Sequence, residues 1–255
     1  MSKKVSIITT TYHDAKQLVK VAEQVWLQSY QNIEYVIIDG GSTDETPEVL
    51  QNLREKFGDR IIIVSEPDHG IYEAINKGIK VATGDIIGCC FDRFTSPEAI
   101  AKMVEQMERE GTDGIHADLN YMKGDRIVRR WHQGQGNIRF GWMPGHPTLY
   151  LKKEVYEQFG VYREDYKIAA DYEFMIRILR DGSIKLSYLP EVLIHMEHGG
   201  TSTNSLASYF LSLKEGHRAL VENQIKFAWF TDCCRTLRVL LQFFQRKRAN
   251  RNDNE

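Results

Sequence analysis

Polar side chains follow two short β-branched runs near the start of the chain. Residues 5–12 read VSIITTTY and end in hydroxyl groups, and residues 36–46 read VIIDGGSTDET and end in carboxylates, glycines and hydroxyl groups. Such runs are typical of buried parallel strands. Because ligands bind at the carboxyl edge of an open α/β sheet, the two segments predict a binding site at that edge.

Asp39 is the residue in these segments that most needs a chemical explanation. Gly40 and Gly41 let the backbone approach a ligand, and Ser42 or Asp44 can cap the helix that follows. A capped loop with no ligand therefore explains residues 42–44. It does not explain a carboxylate at the end of an apolar strand, which favours a ligand role for Asp39.

The composition argues against several classes of protein. A net charge of −2 over 255 residues provides no basic field for nucleic acid. The four cysteines form two vicinal pairs without the spacing of a zinc site or a disulfide framework, which indicates reduced thiols. The first residues lack a signal-peptide pattern, and no apolar run reaches the roughly 18 residues that span a bilayer. We therefore expect a cytoplasmic protein that binds small molecules.

The first 100 residues alternate between strand and helix patterns. β-branched runs occupy 5–11, 34–38 and 61–64 and begin again at 86, while helical apolar spacing occupies 14–29, 44–57 and 71–81. Strands joined by single helices pair in parallel with right-handed crossovers. Neither G-x-G-x-x-G nor G-x-x-x-x-G-K-[ST] follows the first strand, which disfavours the nucleotide folds that use those loops.

Three segments together resemble family 2 glycosyltransferases: SIITTTY at 6–12, DGGSTDET at 39–46 and EPDHGIYEAINKG at 66–78. The resemblance covers roughly residues 4–205 and is closest to bacterial enzymes of exopolysaccharide or O-antigen synthesis. It implies an α/β GT-A fold over 1–205, with a Rossmann-like, mostly parallel central sheet flanked by helices. Residues 1–100 would bind the nucleotide sugar and residues 101–205 the acceptor.

The resemblance also implies a reaction and a set of nucleotide contacts. A nucleoside-diphosphate sugar, by default a UDP-sugar, would give its sugar with inversion to a saccharide or polyprenyl-linked acceptor in cell-surface polysaccharide synthesis. Thr10, Tyr12 and Asp39 would hold the nucleoside, and the carboxylate of Asp39 would accept a hydrogen bond from the base. Asp68 and Asn76 would line the same side, although local hydrogen bonding also explains Asn76.

The family's Asp-rich loop is incomplete in this chain. Residues 84–97 read GDIIGCCFDRFTSP, so Asp92 is kept and Arg93 stands where the second aspartate is expected. One carboxylate can serve Mg²⁺ or Mn²⁺ when a diphosphate supplies most of the oxygen ligands. His198, in a late family segment, is a second candidate metal ligand. Arg93 either neutralises leaving-group charge or is a solvated surface arginine, and the sequence does not rank the two.

Asp171 matches the position of the family's general base, which takes the proton of the attacking acceptor hydroxyl. It falls in the first turn of a helix predicted to begin near 170, where a purely capping role is the alternative.

Trp142 and His146 are candidates for contact with the acceptor sugar, because pyranose faces pack on aromatic rings. A core position explains Trp142 equally well. A nucleotide-binding pseudoenzyme with a degraded metal loop is the alternative function.

Residues 206–248 are predicted to form a continuous helical extension, followed by a tail at 249–255. One face is apolar and carries Phe227, Phe230, Cys234, Leu237, Leu241 and Phe244. The opposite face carries Arg235, Arg238, Gln242, Gln245 and Arg246. The apolar face could lie on anionic lipid through residues 226–248, with the protein peripheral on the inner face of the plasma membrane. It could equally pack on the core or on a second subunit of a homodimer.

Overall fold

A computed structural model describes residues 2–197 and 206–252, with side chains described up to residue 241 except that of Leu206. The strands are β1 (Val5–Thr11), β2 (Ile33–Asp39), β3 (Ile61–Ser65), β4 (Ile86–Cys89), β5 (Arg93–Phe94), β6 (Gly114–Lys123), β7 (Arg126–Trp131), β8 (Tyr150–Lys152) and β9 (Leu186–Glu197). The helices are α1 (Ala15–Trp26), α2 (Thr46–Phe57), α3 (Ile71–Val81), α4 (Ala99–Glu110), α5 (Lys153–Phe159), α6 (Ala170–Leu179), α7 (Leu206–Glu222) and α8 (Ala228–Asn252).

The strands form one mixed sheet in the order β3-β2-β1-β4-β8-β6-β9-β5, with β7 paired to β6. Strands β1 to β4 are parallel, as the alternating pattern predicts. Strand β8 is antiparallel to both β4 and β6, so the second half is mixed. Thr11 is in register with Asp39, and Asp39 with Ser65. The polar ends of the first three strands therefore meet at one edge of the sheet, and the α/β prediction is confirmed.

Helices cover both faces of the sheet, which is why β1 and β2 are apolar on both sides. Ile7 and Ile37 face the cluster that includes α1 and α2. Ile8 and Ile38 face the cluster that includes α3 and α6. All four side chains are fully buried. The parallel half is therefore a rigid platform whose carboxyl edge holds the polar loops.

The predicted continuous helix after residue 206 is wrong in one respect. It is interrupted between Glu222 and Ala228, so that two helices, α7 and α8, take its place. Gln224 and Phe227 adopt left-handed backbone angles, with φ of 59° and 58°. Helices end at such residues because an isolated left-handed residue turns the chain out of the helical path. The break lets α8 lie against a different part of the molecule from α7.

Glu34 is a buried carboxylate that joins three segments of the parallel half. Its oxygens accept hydrogen bonds from Lys4 Nζ at 2.6 Å, Ser6 Oγ at 2.6 Å and Thr83 N at 2.8 Å. Burial alone would raise the pKa of Glu34, but these bonds outweigh burial and lower the pKa to about 2. The stabilisation is complete above the ordinary pKa of 4.5 and is lost as pH falls toward 2.

We expect Glu34→Gln to lower the free energy of unfolding at pH 7 by about 2 kcal/mol, since the amide is a weaker acceptor and introduces an extra donor. Urea unfolding between pH 7 and acid conditions measures the effect. The difference between the two proteins should shrink on acidification, because the native carboxylate then becomes protonated. Glu105→Gln, at an exposed position of α4, is the control. A difference that stays constant with pH would contradict this account.

Candidate active site

A cavity of about 480 Å³ lies at the carboxyl edge of the parallel strands. It brings together three residues that the sequence predicts for the nucleotide, namely Thr10, Tyr12 and Asp68. Thr10 is near the end of β1, Tyr12 directly follows that strand, and Asp68 precedes α3. Phe91, after β4, forms another part of the wall. The volume is within the usual range for small-molecule sites.

Tyr12 and Asp68 are held by their neighbours. Tyr12 is 63% exposed and stacks on the ring of His13 with centroids 4.1 Å apart. Asp68 Oδ1 accepts a hydrogen bond from Gly70 N at 2.9 Å. Behind both side chains is Gly40, where a Cβ would lie 2.7 Å from Asp68 Oδ2 and 3.1 Å from a Tyr12 ring carbon. The absence of a side chain at Gly40 therefore gives these two residues their positions.

Asp39 is fully buried and lies behind the cavity wall. Its Oδ1 accepts from Ser42 Oγ at 2.5 Å, and its Oδ2 accepts from Ser65 Oγ at 2.6 Å. Ser42 Oγ in turn accepts a hydrogen bond from His13 N at 2.8 Å. The carboxylate thus fixes the loop at 40–43 and, through Ser42, the backbone next to Tyr12.

The structure does not bring Asn76 to this cavity. Its side-chain amide donates to Tyr162 O at 2.8 Å and to Glu164 Oε1 at 2.9 Å. Its side-chain oxygen accepts from Tyr162 N at 3.0 Å. Asn76 therefore ties α3 to the segment before α6, where it is almost completely buried. Hydrogen bonding explains its position, but the bonds are not local as predicted, because the partners are 86 and 88 residues away along the chain.

A second cavity, of about 410 Å³, contains the other group of predicted residues: Trp142, His146 and Asp171. The two cavities are neighbours. Phe91 lines the first and His146 lines the second, and their rings are nearly parallel with centroids 6.4 Å apart. This ring pair forms part of the partition between the two cavities.

Asp171 lies in the first turn of α6, as the sequence predicts, and is partly exposed. Its Oδ1 accepts from Tyr172 N at 2.8 Å and lies 3.2 Å from the hydroxyl of Tyr72. The same hydroxyl is 2.5 Å from the carbonyl oxygen of Ile168. Burial and the charge of Asp171 both raise the pKa of Tyr72, so the phenol stays neutral. Asp171 is thereby a fixed carboxylate on the cavity wall that can accept a proton.

Glu215, on α7, fixes the segment that precedes Asp171. Its carboxylate accepts hydrogen bonds from the consecutive amides of Lys167, Ile168 and Ala169 at 2.9, 3.0 and 3.0 Å. Sequence reasoning missed this role. The sequence pattern that could have indicated it is the position of Glu215 four residues before Ala219, which places an acidic residue on the buried face of the helix. Helix α7 is therefore part of the site and not an appendage.

His146 and Trp142 are both anchored. The Nε2 atom of His146 is 2.9 Å from the hydroxyl of Tyr162, and burial lowers the pKa of His146, so the neutral ring is favoured. Trp142 is only 7% exposed, and its Nε1 donates to Gln133 O at 2.9 Å. Trp142 is thus both a core residue and part of the cavity wall. Its position is compatible with both predictions from the sequence, a core residue and a contact with the acceptor.

Asp92 lies in the loop between β4 and β5, and Arg93 begins β5, which pairs with β9. Asp92 Oδ1 accepts from Glu197 N at 3.1 Å, and burial raises the pKa of Asp92. Arg93 is exposed, and its Nη2 is 3.5 Å from His195 Nδ1. Burial raises the pKa of Tyr121, which lines the second cavity, and the charges of Asp171 and Asp92 add to that effect. Asp92 is therefore within electrostatic range of that cavity.

Asp92 could hold a cation only if most of the other ligands came from a bound diphosphate. Within residues 2–197 and 206–241, no cluster of three or more metal-ligating side chains occurs. His198, the second predicted ligand, lies outside the described residues. A buried carboxylate with a raised pKa gains from a nearby cation, and a cation on a diphosphate needs few protein ligands. Asp92 therefore fits Mg²⁺ or Mn²⁺ that is held mainly by phosphate oxygens.

The apolar face of α8 does not pack on the core, which corrects one of the three options for this helix. Phe227, Leu237 and Leu241 are 72%, 57% and 50% exposed. Arg235 and Arg238, on the neighbouring face, line the second cavity together with Val239 and Leu241. The side chain of Phe244 lies outside the described residues. Among the described helices, none has the length and apolar character of a membrane span.

Comparisons with known proteins agree with this geometry. A PGL/p-HBAD biosynthesis glycosyltransferase of Mycobacterium bovis is 27% identical over 216 residues, which is 81% of this chain and 82% of the relative. An uncharacterized glycosyltransferase of Mycobacterium tuberculosis is 32% identical over 184 residues, or 68% of each chain. These relatives identify the chain as a glycosyltransferase.

Solved structures show the same fold. The structure of residues 1–349 of S. aureus TarS in complex with UDP-GlcNAc aligns with a TM-score of 0.68 at 15% identity, over 91% of this chain and 70% of that one. The mannosyltransferase PcManGT of Pyrobaculum calidifontis, in complex with GDP-Man and Mn²⁺, aligns with a TM-score of 0.66 at 18% identity, over 87% and 64%. Both have the GT-A fold. The family model for glycosyl transferase family 2 matches residues 6–209, and the chain therefore belongs to that family.

Proposed function

We propose that this glycosyltransferase moves a sugar, with inversion, from a UDP-sugar to a hydroxyl of a saccharide or lipid-linked acceptor. The observation that carries the proposal is the pair of adjacent cavities. One holds polar groups at the carboxyl edge of the parallel strands, and the other holds the carboxylate of Asp171. Such an arrangement gives donor and acceptor separate sites that meet at the Phe91–His146 partition.

The nucleotide would occupy the first cavity. The ring of Tyr12 is exposed enough to stack on a base, and the carboxylate of Asp68 can accept hydrogen bonds from base or ribose. Thr10 adds a third contact, and Asp39 orders the loop behind them. UDP is the first nucleotide to test, because TarS, which shares the fold, is found in complex with UDP and with UDP-GlcNAc. GDP is the comparison, because PcManGT shares the fold and is in complex with GDP-Man.

The chemical step follows from the position of Asp171. As the acceptor oxygen attacks the anomeric carbon, its proton moves to the Asp171 carboxylate. The new oxygen–carbon bond forms on the face opposite the breaking bond to the diphosphate, which leaves as the nucleoside diphosphate and so inverts the anomeric centre. Tyr72 and Glu215 act as positioning residues, because they fix the carboxylate and the backbone before it.

A cation bound by Asp92 and the diphosphate would supply positive charge beside the leaving group. Arg93 offers a second positive charge on the adjacent strand β5. Because this arginine is exposed, it is accessible to an anionic ligand without rearrangement of the core. The two residues together replace the acidic pair that family members usually have at this point.

Titration of the purified protein with UDP, GDP and dTDP tests the nucleotide site. UDP should bind, and Asp68→Asn should weaken binding about tenfold because a charged acceptor is lost. Asp59→Asn, at an exposed position between α2 and β3, is the matched control and should bind UDP as the natural chain does. If none of the three nucleotides binds, or if the control loses as much affinity as Asp68→Asn, the proposed site is wrong.

Glu215→Gln is expected to lower kcat about tenfold with little change in UDP affinity. The amide keeps the volume of the carboxylate but weakens the bonds to three backbone amides, and the Asp171 carboxylate is then less well placed. Single-turnover transfer assays and UDP titration measure the two quantities. Glu48→Gln, at an exposed position of α2, is the control. A parallel fall in UDP affinity would instead indicate a general loss of structure.

A further inference from the structure

The polar face of α8 forms a fixed wall of the acceptor cavity. Thr231 Oγ1 donates to Arg139 O at 2.9 Å, and Arg238 Nε donates to Phe140 O at 2.8 Å. At Gly141, a Cβ would lie 2.3 Å from the backbone nitrogen of Arg235. The helix backbone therefore approaches the loop so closely that only glycine fits there. Side chains on this face of α8 have defined positions over the cavity.

Three arginines line this cavity, whereas Asp171 is the one carboxylate among its described lining residues. Two of the arginines, Arg235 and Arg238, come from α8, and Arg129 comes from β7. Asp232, outside the lining, is 3.3 Å from Arg235 and offsets part of its charge. Among the described lining residues, arginines nevertheless outnumber carboxylates next to the proposed base. A neutral sugar does not need such an excess.

Aromatic rings orient two of the guanidinium groups. The Arg129 guanidinium carbon is 4.6 Å from the ring centre of Tyr121 and 5.6 Å from that of Trp131. The guanidinium carbon of Arg235 is 4.6 Å from the ring centre of Tyr172. A guanidinium that packs against a ring by its face keeps its N–H groups in the plane, where they can donate to an anion.

We propose that the acceptor carries a phosphate ester close to its accepting hydroxyl, and that Arg129, Arg235 and Arg238 bind this phosphate. The inference rests on the proposed function, since Asp171 on the same wall is the base that the hydroxyl must reach. A phosphate has more oxygens and more charge than a carboxylate, which suits three guanidinium groups better. The phosphate can belong to a soluble sugar phosphate or to a lipid phosphate.

The exposed apolar face of α8 is relevant to the second possible source of the phosphate, a lipid phosphate. The helix that supplies Arg235 and Arg238 also exposes Phe230, Leu237 and Leu241 to solvent. An acceptor with a lipid chain could place its phosphate in the cavity and its chain against this apolar face. The chemistry recognised in the cavity is the same for both sources, so the experiment has one arm for each.

The test is calorimetric titration of the full chain in excess UDP. The soluble arm compares glucose 1-phosphate with methyl glucoside, and the lipid arm compares farnesyl phosphate with farnesol. We expect at least one phosphate probe to bind more tightly than its neutral partner, with an affinity that falls as salt is added. Arg235→Gln and Arg238→Gln should each weaken that probe about tenfold. The arm that responds identifies the source.

Arg130→Gln is the matched control, because Arg130 is exposed and adjacent residues of a strand point to opposite faces. The control should bind the phosphate probe as the natural chain does. Equal binding of phosphate and neutral probes, or equal loss in all three variants, overturns the proposal. UDP titration of the same variants reports the nucleotide site separately, so failure there would count against the proposed function and not against the arginine site. The natural chain's preference for phosphate decides the question even if a variant does not fold.

Discussion

Replacing Asp171 with asparagine is expected to lower kcat for sugar transfer by about 10²–10⁴-fold, the usual contribution of a positioned general base. Asparagine keeps the size of the side chain, and its oxygen can still accept the hydrogen bond from Tyr172 N. The start of α6 should therefore keep its structure. What is lost is the group that takes the acceptor proton, so the affinity for UDP should not change.

Transfer from a labelled UDP-sugar under single-turnover conditions measures this effect, and UDP titration checks the nucleotide site. Asp181→Asn provides the control, since Asp181 is exposed just after the end of α6 and lies in neither cavity. A fall confined to Asp171→Asn would support the base and would exclude the pseudoenzyme that the incomplete Asp-rich loop raises as an alternative. If Asp171→Asn transfers sugar at the natural rate, another group takes the proton.

The parallel half of the fold was predictable because its determinants are local. Each strand is a β-branched run, and each helix has apolar residues at helical spacing. The segments at 5–11, 61–64 and 71–81 were predicted to within about one residue of the observed β1, β3 and α3. The resemblance to family 2 glycosyltransferases implies that Thr10, Tyr12 and Asp68 share one site, and the three residues line the same cavity.

Side-chain orientations that depend on distant partners were not predictable in the same way. Asn76 has a position in its motif that implies a nucleotide contact, but its hydrogen bonds go to Tyr162 and Glu164. Asp39 was expected to accept a hydrogen bond from the base, but it is fully buried and accepts hydrogen bonds from Ser42 and Ser65. Ser65 comes from the next strand and could not be deduced from the loop. Local pattern gives the element, whereas contacts across the chain decide what each side chain does.

In helix α8, contacts with distant residues decide the orientation of a whole helix face, which the sequence pattern did not predict. Its apolar stripe is evident from periodicity, and an apolar stripe usually faces the core. Here the loop at 139–141 offers carbonyl groups and a glycine to the neighbouring polar face. The ring of Tyr172 packs against the guanidinium group of Arg235. These contacts fix the polar face inward. Periodicity contains no information about them, so the roles of Arg235 and Arg238 emerged only from the structure.

The second large effect is expected at Asp92. Asp92→Asn should reduce metal-stimulated transfer by at least about a hundredfold, because a cation beside the leaving group contributes several kcal/mol to the transition state. Asparagine can still accept the hydrogen bond from Glu197 N, so the link between the loop before β5 and the end of β9 should survive. UDP affinity of the variant in Mn²⁺ should fall to the value that the natural chain shows with chelator.

Acidification should reproduce part of this effect in the natural chain. Burial raises the pKa of Asp92 from its ordinary value of 3.8, so the carboxylate becomes protonated, and loses the cation, at a higher pH than an exposed aspartate would. The dependence of UDP affinity on Mn²⁺ should therefore weaken as pH falls, while affinity measured with chelator changes less. In Asp92→Asn, which carries no ionisable group at this position, that pH effect should be absent.

Arg93→Gln tests whether the positive charge beside the leaving group comes from a cation at Asp92 or from the guanidinium group of Arg93. If the cation at Asp92 dominates, Arg93→Gln should keep most of the metal-stimulated transfer, since Arg93 is exposed and pairs only with the His195 ring at 3.5 Å among described side chains. If the guanidinium takes the place of the metal, Arg93→Gln should lose transfer, and Asp92→Asn should keep it with or without Mn²⁺. The second pattern would contradict a metal role for Asp92 and make the Asp-to-Arg exchange in the loop a change of mechanism.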